Sequence, residues 1–263
     1  MARMTEDELK AAIQALPPIE PVEPAHTWAF WAWDLRQNIL NHNPAEFLTW
    51  PSVVGTMFVG NAPYIDFECG KLPFDILKVL EDPGIGKPDL YEIPENIKPS
   101  GNLIHQAYHL LQWEEKTGRL VQDLSTIIEI GGGYGAMAMI VRRLGFTGRY
   151  VIFDLPEFNL LQKYYLSNVG IDDVEFQSQI DDQTDYDLLI GLYSLNEMSL
   201  KVRKTIIDAC PAKSYLIAYG AGWGGEDNMG WALELMRRRG ELWHNWNIPH
   251  LPNCWYLIGD KRE

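Results

Sequence analysis

The residues best suited to chemistry form two short stretches, Glu129-Ile130-Gly131-Gly132-Gly133-Tyr134-Gly135 and, further on, Asp154. Glycines at alternate positions let a backbone turn come close to a ligand. A helix starting after such a turn offers its unpaired N–H groups. A carboxylate at the end of the next strand accepts two hydrogen bonds from the hydroxyls of a ribose. The pattern therefore predicts a site for a cofactor that carries a nucleoside, lined by Glu129, Gly131, Gly133, Tyr134, Gly135 and Asp154. Proton chemistry has its own candidates. Glu197, in Tyr193-Ser-Leu-Asn196-Glu197-Met198, is a general base if burial raises its pKa, or else an acid at the start of a helix. His250 is a second base candidate, by residue type. His105 and His109 are four residues apart, which puts them on one helical face. A metal would suit that spacing, but no third ligand is evident nearby, so they read as core, interface or substrate-facing histidines. Asn196 and Trp223 complete the substrate candidates, Trp223 as a ring that stacks on an acceptor or packs on the last helix.

Those residues need elements to hold them. From 121 onward, strand-like and helix-like segments alternate: strands at 126–130, 149–154, 174–177, 186–193 and 214–219, with helices at 136–144, 156–168, 200–209 and 228–239. Such alternation predicts a mostly parallel, doubly wound, Rossmann-like sheet. Two last strands, 243–247 and 254–259, have no helix between them and predict an antiparallel hairpin at one edge. Ligands of such sheets bind at the carboxyl ends of the strands, where the strand order reverses. The first part of the chain is helix-prone. Thr5-Glu-Asp-Glu is an N-cap with an acidic first turn, Pro17 to Pro24 reads as an extended linker, and Trp28, Trp31, Leu35 and Ile39 keep helical spacing. That aromatic helix reads as a packing face, a lid or a dimer face. Residues 81–101 read as a loop, and 102–117 as a helix ended by Gly118. We expect residues 1–100 to form a helical lid or dimerisation region and 101–263 the cofactor-binding domain.

Composition narrows the class. A chain of 263 residues with 46% hydrophobic and 22% charged residues builds an ordinary globular core. Three scattered cysteines make neither a disulfide framework nor a zinc site. A formal charge of −14 disfavours nucleic acid and suits a neutral or cationic acceptor. Without a membrane-length apolar run or a signal-peptide core, the expected setting is the cytoplasm, with no membrane partner. The acidic run 181–187 reads as a solvated turn, and Arg237-Arg-Arg239 as cations at a helix C-terminus.

Two cofactors fit the glycine spacing. Gly131-x-Gly133-x-x-Ala136 matches the dinucleotide fingerprint in its alanine form. Gly131-x-Gly133-x-Gly135, with Glu129 two residues before it, matches the S-adenosylmethionine pattern. Glu129 favours the second, because a carboxylate helps a methionine ammonium and repels a pyrophosphate. The helical leader and the closing hairpin point the same way. Moreover, Ile128-Glu-Ile-Gly-Gly-Gly-Tyr-Gly, with Phe153-Asp-Leu-Pro-Glu157 and Leu160-Leu-Gln-Lys-Tyr-Tyr-Leu166, resembles bacterial sugar O-methyltransferases over roughly residues 102–260. The resemblance implies a class I methyltransferase fold, an α/β sheet with a C-terminal antiparallel hairpin and an N-terminal helical region. It implies S-adenosylmethionine as cofactor and a small hydroxylated acceptor. It puts Gly131, Gly133 and Gly135 at the methionine end, Asp154 on the ribose, Leu155 on the adenine and Gln179 near the adenine edge. Plant-type relatives carry a histidine followed by an acid after the fourth strand, where this chain has Asn196 and Glu197. Metal-dependent relatives carry a carboxylate at the end of that strand, where this chain has Tyr193 and Ser194, so no metal is expected. The alternatives are an NAD(P)-dependent oxidoreductase and a non-catalytic binding module on the same fold.

Overall fold

Thr5 stops the backbone in an extended conformation and takes the Glu8 N–H on its side chain, while the Glu8 carboxylate returns to the Thr5 N–H, so a capping box opens helix α1 (Glu6–Ala15). Its buried residues are Leu9 and Ile13. Helix α2 (Trp28–Asn41) follows and buries Ala32, Leu35, Arg36 and Ile39. The computed structural model describes residues 3–20, 28–179, 185–222, 225–239 and 242–261; the second half of the expected linker, 21–24, and most of the acidic run lie outside them. Three short helices come next: α3 (Pro51–Thr56), α4 (Ile65–Cys69) and α5 (Phe74–Leu77). The segment read as a loop is mostly irregular and is closed by single bridges between Leu90 and Ser100 and between Ile93 and Ile97. Helix α6 (Gly101–Thr117) then runs to Gly118, whose positive φ of 71° ends it.

The remaining elements alternate as their patterning predicts: β1 (Thr126–Ile130), α7 (Ala136–Arg143), β2 (Arg149–Phe153), α8 (Pro156–Asn168), β3 (Val174–Gln177), β4 (Tyr186–Leu192), α9 (Leu200–Ala209), β5 (Ala212–Gly220), α10 (Asn228–Arg239), β6 (Leu242–Asn247) and β7 (Cys254–Asp260). The chain divides into two compact units, one comprising 1–108, 132–144 and 154–178, the other 109–131, 145–153 and 179–263. No helix among the described residues is long and apolar enough to cross a membrane.

In the first unit, α1 and α2 both pack on α8. The Trp28 ring meets Phe158 edge-on at 5.5 Å, and Phe47, Tyr134 and Tyr165 form a ring cluster with centroids 4.9–6.0 Å apart. Inside this apolar packing Arg36 donates from Nη2 to Glu157 at 2.5 Å and from Nη1 to the Pro17 carbonyl at 2.7 Å. Both side chains of the ion pair are more than nine-tenths buried.

In the second unit the strands lie in the order β2-β1-β4-β5-β7-β6. The first four are parallel, and β7 runs antiparallel to both β5 and β6. Ile128, Ile130, Leu189, Tyr215 and Ile217 of the strands pack with Ile206 and Ile207 of α9 and Ala232 and Leu235 of α10. Asp187, the end of the acidic run and also within the strand expected over 186–193, belongs to β4: its carboxylate accepts the Ser125 and Thr126 N–H groups and pairs with Lys213. Burial opposes the charge there, but these donors outweigh it and hold the Asp187 carboxyl below its ordinary value.

Replacing Arg36 by Ala would strand the Glu157 charge in the first unit's interior. We expect Arg36→Ala to lose about 3–5 kcal/mol in a urea unfolding titration. Arg36→Ala with Glu157→Gln should recover part of that loss.

Candidate functional site

The turn after β1 is built by glycine chemistry. Gly131, Gly133 and Gly135 have φ of +74°, +57° and +102°, a region that other L-residues enter only with strain. A Cβ on Gly131 would fall onto the Ser194 side chain. Gly135 is the N-cap of α7, and a Cβ there would press on Leu166. The alternate glycines of the motif are thus required one by one.

In the first unit this turn closes around Asp154. The Gly132 N–H donates to Asp154 Oδ2 at 3.1 Å, Gln162 Nε2 donates to the same oxygen at 2.7 Å, and the Leu155 N–H donates to Oδ1 at 2.8 Å. Gln162 Nε2 also holds the Gly133 carbonyl at 3.1 Å. Asn159 Nδ2 reaches the Asp154 carbonyl, the Gln177 carbonyl and Ser178 Oγ. Two acceptors are left over: Gln162 Oε1 and Asn159 Oδ1, both on buried side chains, have no hydrogen-bond partner among the described residues. Burial pushes the Asp154 carboxyl up to about 7, against the Leu155, Gln162 and Gly132 donors that favour its charge. The patch is rich in acceptors and suits a ligand that brings hydroxyl donors. Leu155, the exposed N-cap of α8, stands beside it, with Pro156 at the first helical position.

The loop residue Tyr134 is fully buried, takes a hydrogen bond on its hydroxyl from Asn102 Nδ2 at 3.0 Å and has its pKa raised by that burial. One helical turn along α6, His105 Nδ1 contacts both oxygens of the wholly buried Glu68 at 2.9 Å, and the Tyr64 ring lies 5.4 Å from the imidazole. A cavity of about 570 Å³ opens in the same unit, lined by Phe58, Tyr64, Asn61, Lys87 and Asp89 among others.

In the second unit the strand order reverses between β1 and β4. Glu129, on β1, is buried and accepts from the Tyr150 hydroxyl at 2.8 Å. Ser194, just after β4, donates to the Ile130 carbonyl and so ties the two strand ends together. Asn196 and Glu197 lie in a single 3-10 turn, 195–197. Asn196 is buried, takes the Gly220 N–H on Oδ1 at 3.4 Å and offers its carbonyl to Arg203 Nη2 at 2.9 Å. Arg203 itself has no exposed surface, holds the Met198 carbonyl with Nε and lies over the Trp231 ring, so a buried cation clamps the turn that carries Glu197. Ser199, not Glu197, supplies the side-chain cap of α9. His109 Nδ1 meets the Tyr256 hydroxyl at 2.6 Å, so the two histidines of α6 have different partners. His250 is half-buried in the turn between β6 and β7, and Gln179 is exposed. Trp223 lies outside the described residues.

Sequence reading missed Gln162, Asn159, Glu68 and Arg203. Gln162 stands within the quoted Leu160–Leu166 run and, three residues after Asn159, shares its helical face, a signal that could have been read. Glu68 and Arg203 have none, because their partners are set by tertiary packing.

Four parallel strands reverse order between β1 and β4, and one antiparallel strand enters between β5 and β6. This is the class I methyltransferase fold. No family model and no curated protein sequence matches the chain. Among solved structures it is similar to a precorrin-6y C5,15-methyltransferase from Geobacter metallireducens, at 17% identity and a TM-score of 0.47 over 68% of this chain and 97% of that one. It is also similar to an SAH-bound methyltransferase from Podospora anserina, at 10% identity and a TM-score of 0.46 over 80% and 100%. An O-methyltransferase family protein from Burkholderia thailandensis matches at 15% identity and a TM-score of 0.44 over 62% and 60%.

The folded chain holds the Asp154 proton more tightly than the unfolded chain, whose carboxyl titrates near 4. The contribution of Asp154 to stability is therefore full below about pH 4 and is lost as pH rises through about 7. Against Asp154→Asn, which carries no such proton, the wild type should lose up to about 4 kcal/mol between pH 4 and pH 8 in paired denaturation curves.

Proposed function

We propose that the protein is an S-adenosylmethionine-dependent methyltransferase that methylates a hydroxyl of a small molecule, with a sugar as the acceptor class. The observation that carries the reading is the acceptor-rich patch at Asp154, bordered by a glycine turn that keeps positive φ at three alternate residues. A ribose brings two hydroxyl donors to such a patch, and the unmatched Gln162 Oε1 and Asn159 Oδ1 are acceptors for further ones. In this reading Gly131, Gly133, Tyr134 and Gly135 border the cofactor, Asp154 takes the ribose hydroxyls, Leu155 offers an apolar surface to the adenine, Gln179 lies toward its edge, and Glu129 attracts the methionine ammonium.

When bound, S-adenosylmethionine supplies a methyl group on a sulfonium centre. The chain's own part is alignment and proton removal. We assign the acceptor hydroxyl's proton to the Glu197 carboxylate, on the turn clamped by Arg203, or to the imidazole of His250. Within the first unit, the cavity at Phe58 and Tyr64 has a lining of the kind a sugar suits, aromatic residues together with Asn61 and Asp89. His105, whose ring lies 5.4 Å from that of Tyr64 and is oriented by Glu68, is the substrate candidate nearest that lining in the same unit.

Calorimetric titration with S-adenosylhomocysteine tests the cofactor. Wild type should bind it, Asp154→Ala should weaken binding at least about tenfold, and affinity should fall as pH drops below about 7, because hydroxyl donors favour the ionised carboxylate. Binding of NAD in its place, or of neither by folded protein, would falsify the reading. With an acceptor from a monosaccharide screen, Glu197→Gln and His250→Ala tell the two bases apart. The variant lacking the true base should lose about 100-fold or more in kcat without weaker S-adenosylhomocysteine binding.

A further inference from the structure

Among the described non-glycine residues with positive φ, Tyr193 is the aromatic one, at φ +63°. A bulky side chain rarely adopts that conformation. Strain of this kind persists where the surroundings over-determine it, and it concentrates at ligand sites. Tyr193 directly follows β4, in the second unit, at the carboxyl edge of the sheet beside the reversal in strand order. Its N–H is held by the Ala218 carbonyl at 2.7 Å. The next residue, Ser194, is tied to Ile130 and occupies the space that a Cβ on Gly131 would need. Tyr193 is therefore pinned from both sides at the mouth of the crevice between β1 and β4.

How the ring is held decides what it offers. The Tyr193 hydroxyl oxygen is buried, on the side of Cys254. The His109 ring meets it edge-on, with centroids 5.9 Å apart and planes at 67°. The residue as a whole is only half-buried. The surface it keeps is thus ring and main chain rather than hydroxyl, which suits attraction of a cation to the ring better than proton transfer.

We propose that the Tyr193 ring recognises the positive charge of the sulfonium, so that this residue distinguishes S-adenosylmethionine from its neutral demethylated product. The inference rests on the cofactor reading given above. It predicts a difference in affinity between two ligands that share every other group. Product held less tightly than cofactor leaves more readily, so the same contact would favour turnover.

The test is calorimetric titration of the full chain, of Tyr193→Phe and of Tyr193→Leu, each with S-adenosylmethionine and separately with S-adenosylhomocysteine. Tyr193→Phe keeps the ring and should keep the wild-type ratio of the two affinities. Tyr193→Leu should weaken S-adenosylmethionine by about five- to thirty-fold and leave S-adenosylhomocysteine within about twofold. The second ligand reports on folding within each variant, and Tyr193→Asn, which tolerates positive φ, replaces Tyr193→Leu if that variant does not fold. Loss of both ligands in parallel, or no change in either, overturns the role of Tyr193 and leaves the cofactor reading intact. Failure of wild type to bind either ligand overturns both.

Discussion

At the end of β1 the chain must turn through positive φ with no side chain at Gly131, because Ser194 occupies the space that a Cβ would take. Much of the second unit's sheet edge follows from that exclusion. The β4 end closes on the β1 end through Ser194 and Ile130, Tyr193 beside it adopts its left-handed conformation, and the turn holding Asn196 and Glu197 follows at the same edge of the sheet. Arg203 then secures the far side of that turn by main-chain bonds to Asn196 and Met198. The order is hierarchical: a backbone constraint fixes a crossing, and the crossing fixes the side chains.

The first unit solves a different problem. Several of its polar groups pair at long sequence separation: Arg36 with Glu157, His105 with Glu68, Asn102 with Tyr134. Each pair joins the helical leader to itself or to the elements around the glycine turn. A buried ion pair is costly to assemble and more costly to break, so these contacts specify an arrangement more than they add net stability. Asp154 is the exception, since its burial is not fully offset by its donors and its carboxyl resists ionisation.

The sheet was legible because its strands are short apolar runs between helices of clear period, and the closing hairpin because no helix separates β6 from β7. The glycine turn was legible because positive φ leaves a mark in composition: Gly131, Gly133 and Gly135 each need the residue that they have. Residues 44–80 were not read as helices. Elements of four to six residues are too short for a periodic signal, and they are held by partners such as His105 that lie far along the chain. For the same reason Glu68 and Arg203 look like surface charges in the sequence yet are wholly buried. Asp187 was read both as the end of a solvated acidic run and as a strand residue; its pairing was not legible, because its three partners come from β1, the residue before it and β5.

The Asp187 carboxylate answers a question of alignment. Strands in a parallel sheet buried on both faces are almost continuously apolar, so alternation of polar and apolar residues says little about which residue lies opposite which. Ile128 opposite Leu189 and Ile190 opposite Leu216 would pack nearly as well one step out of phase, as far as greasiness alone is concerned. Asp187 does not allow the step: its carboxylate meets the Ser125 and Thr126 amides on one side and the Lys213 ammonium on the other, and a slip would strand all three. A single charge thus acts as the indexing mark of the three central strands, and through them sets which side chains stand at the crevice.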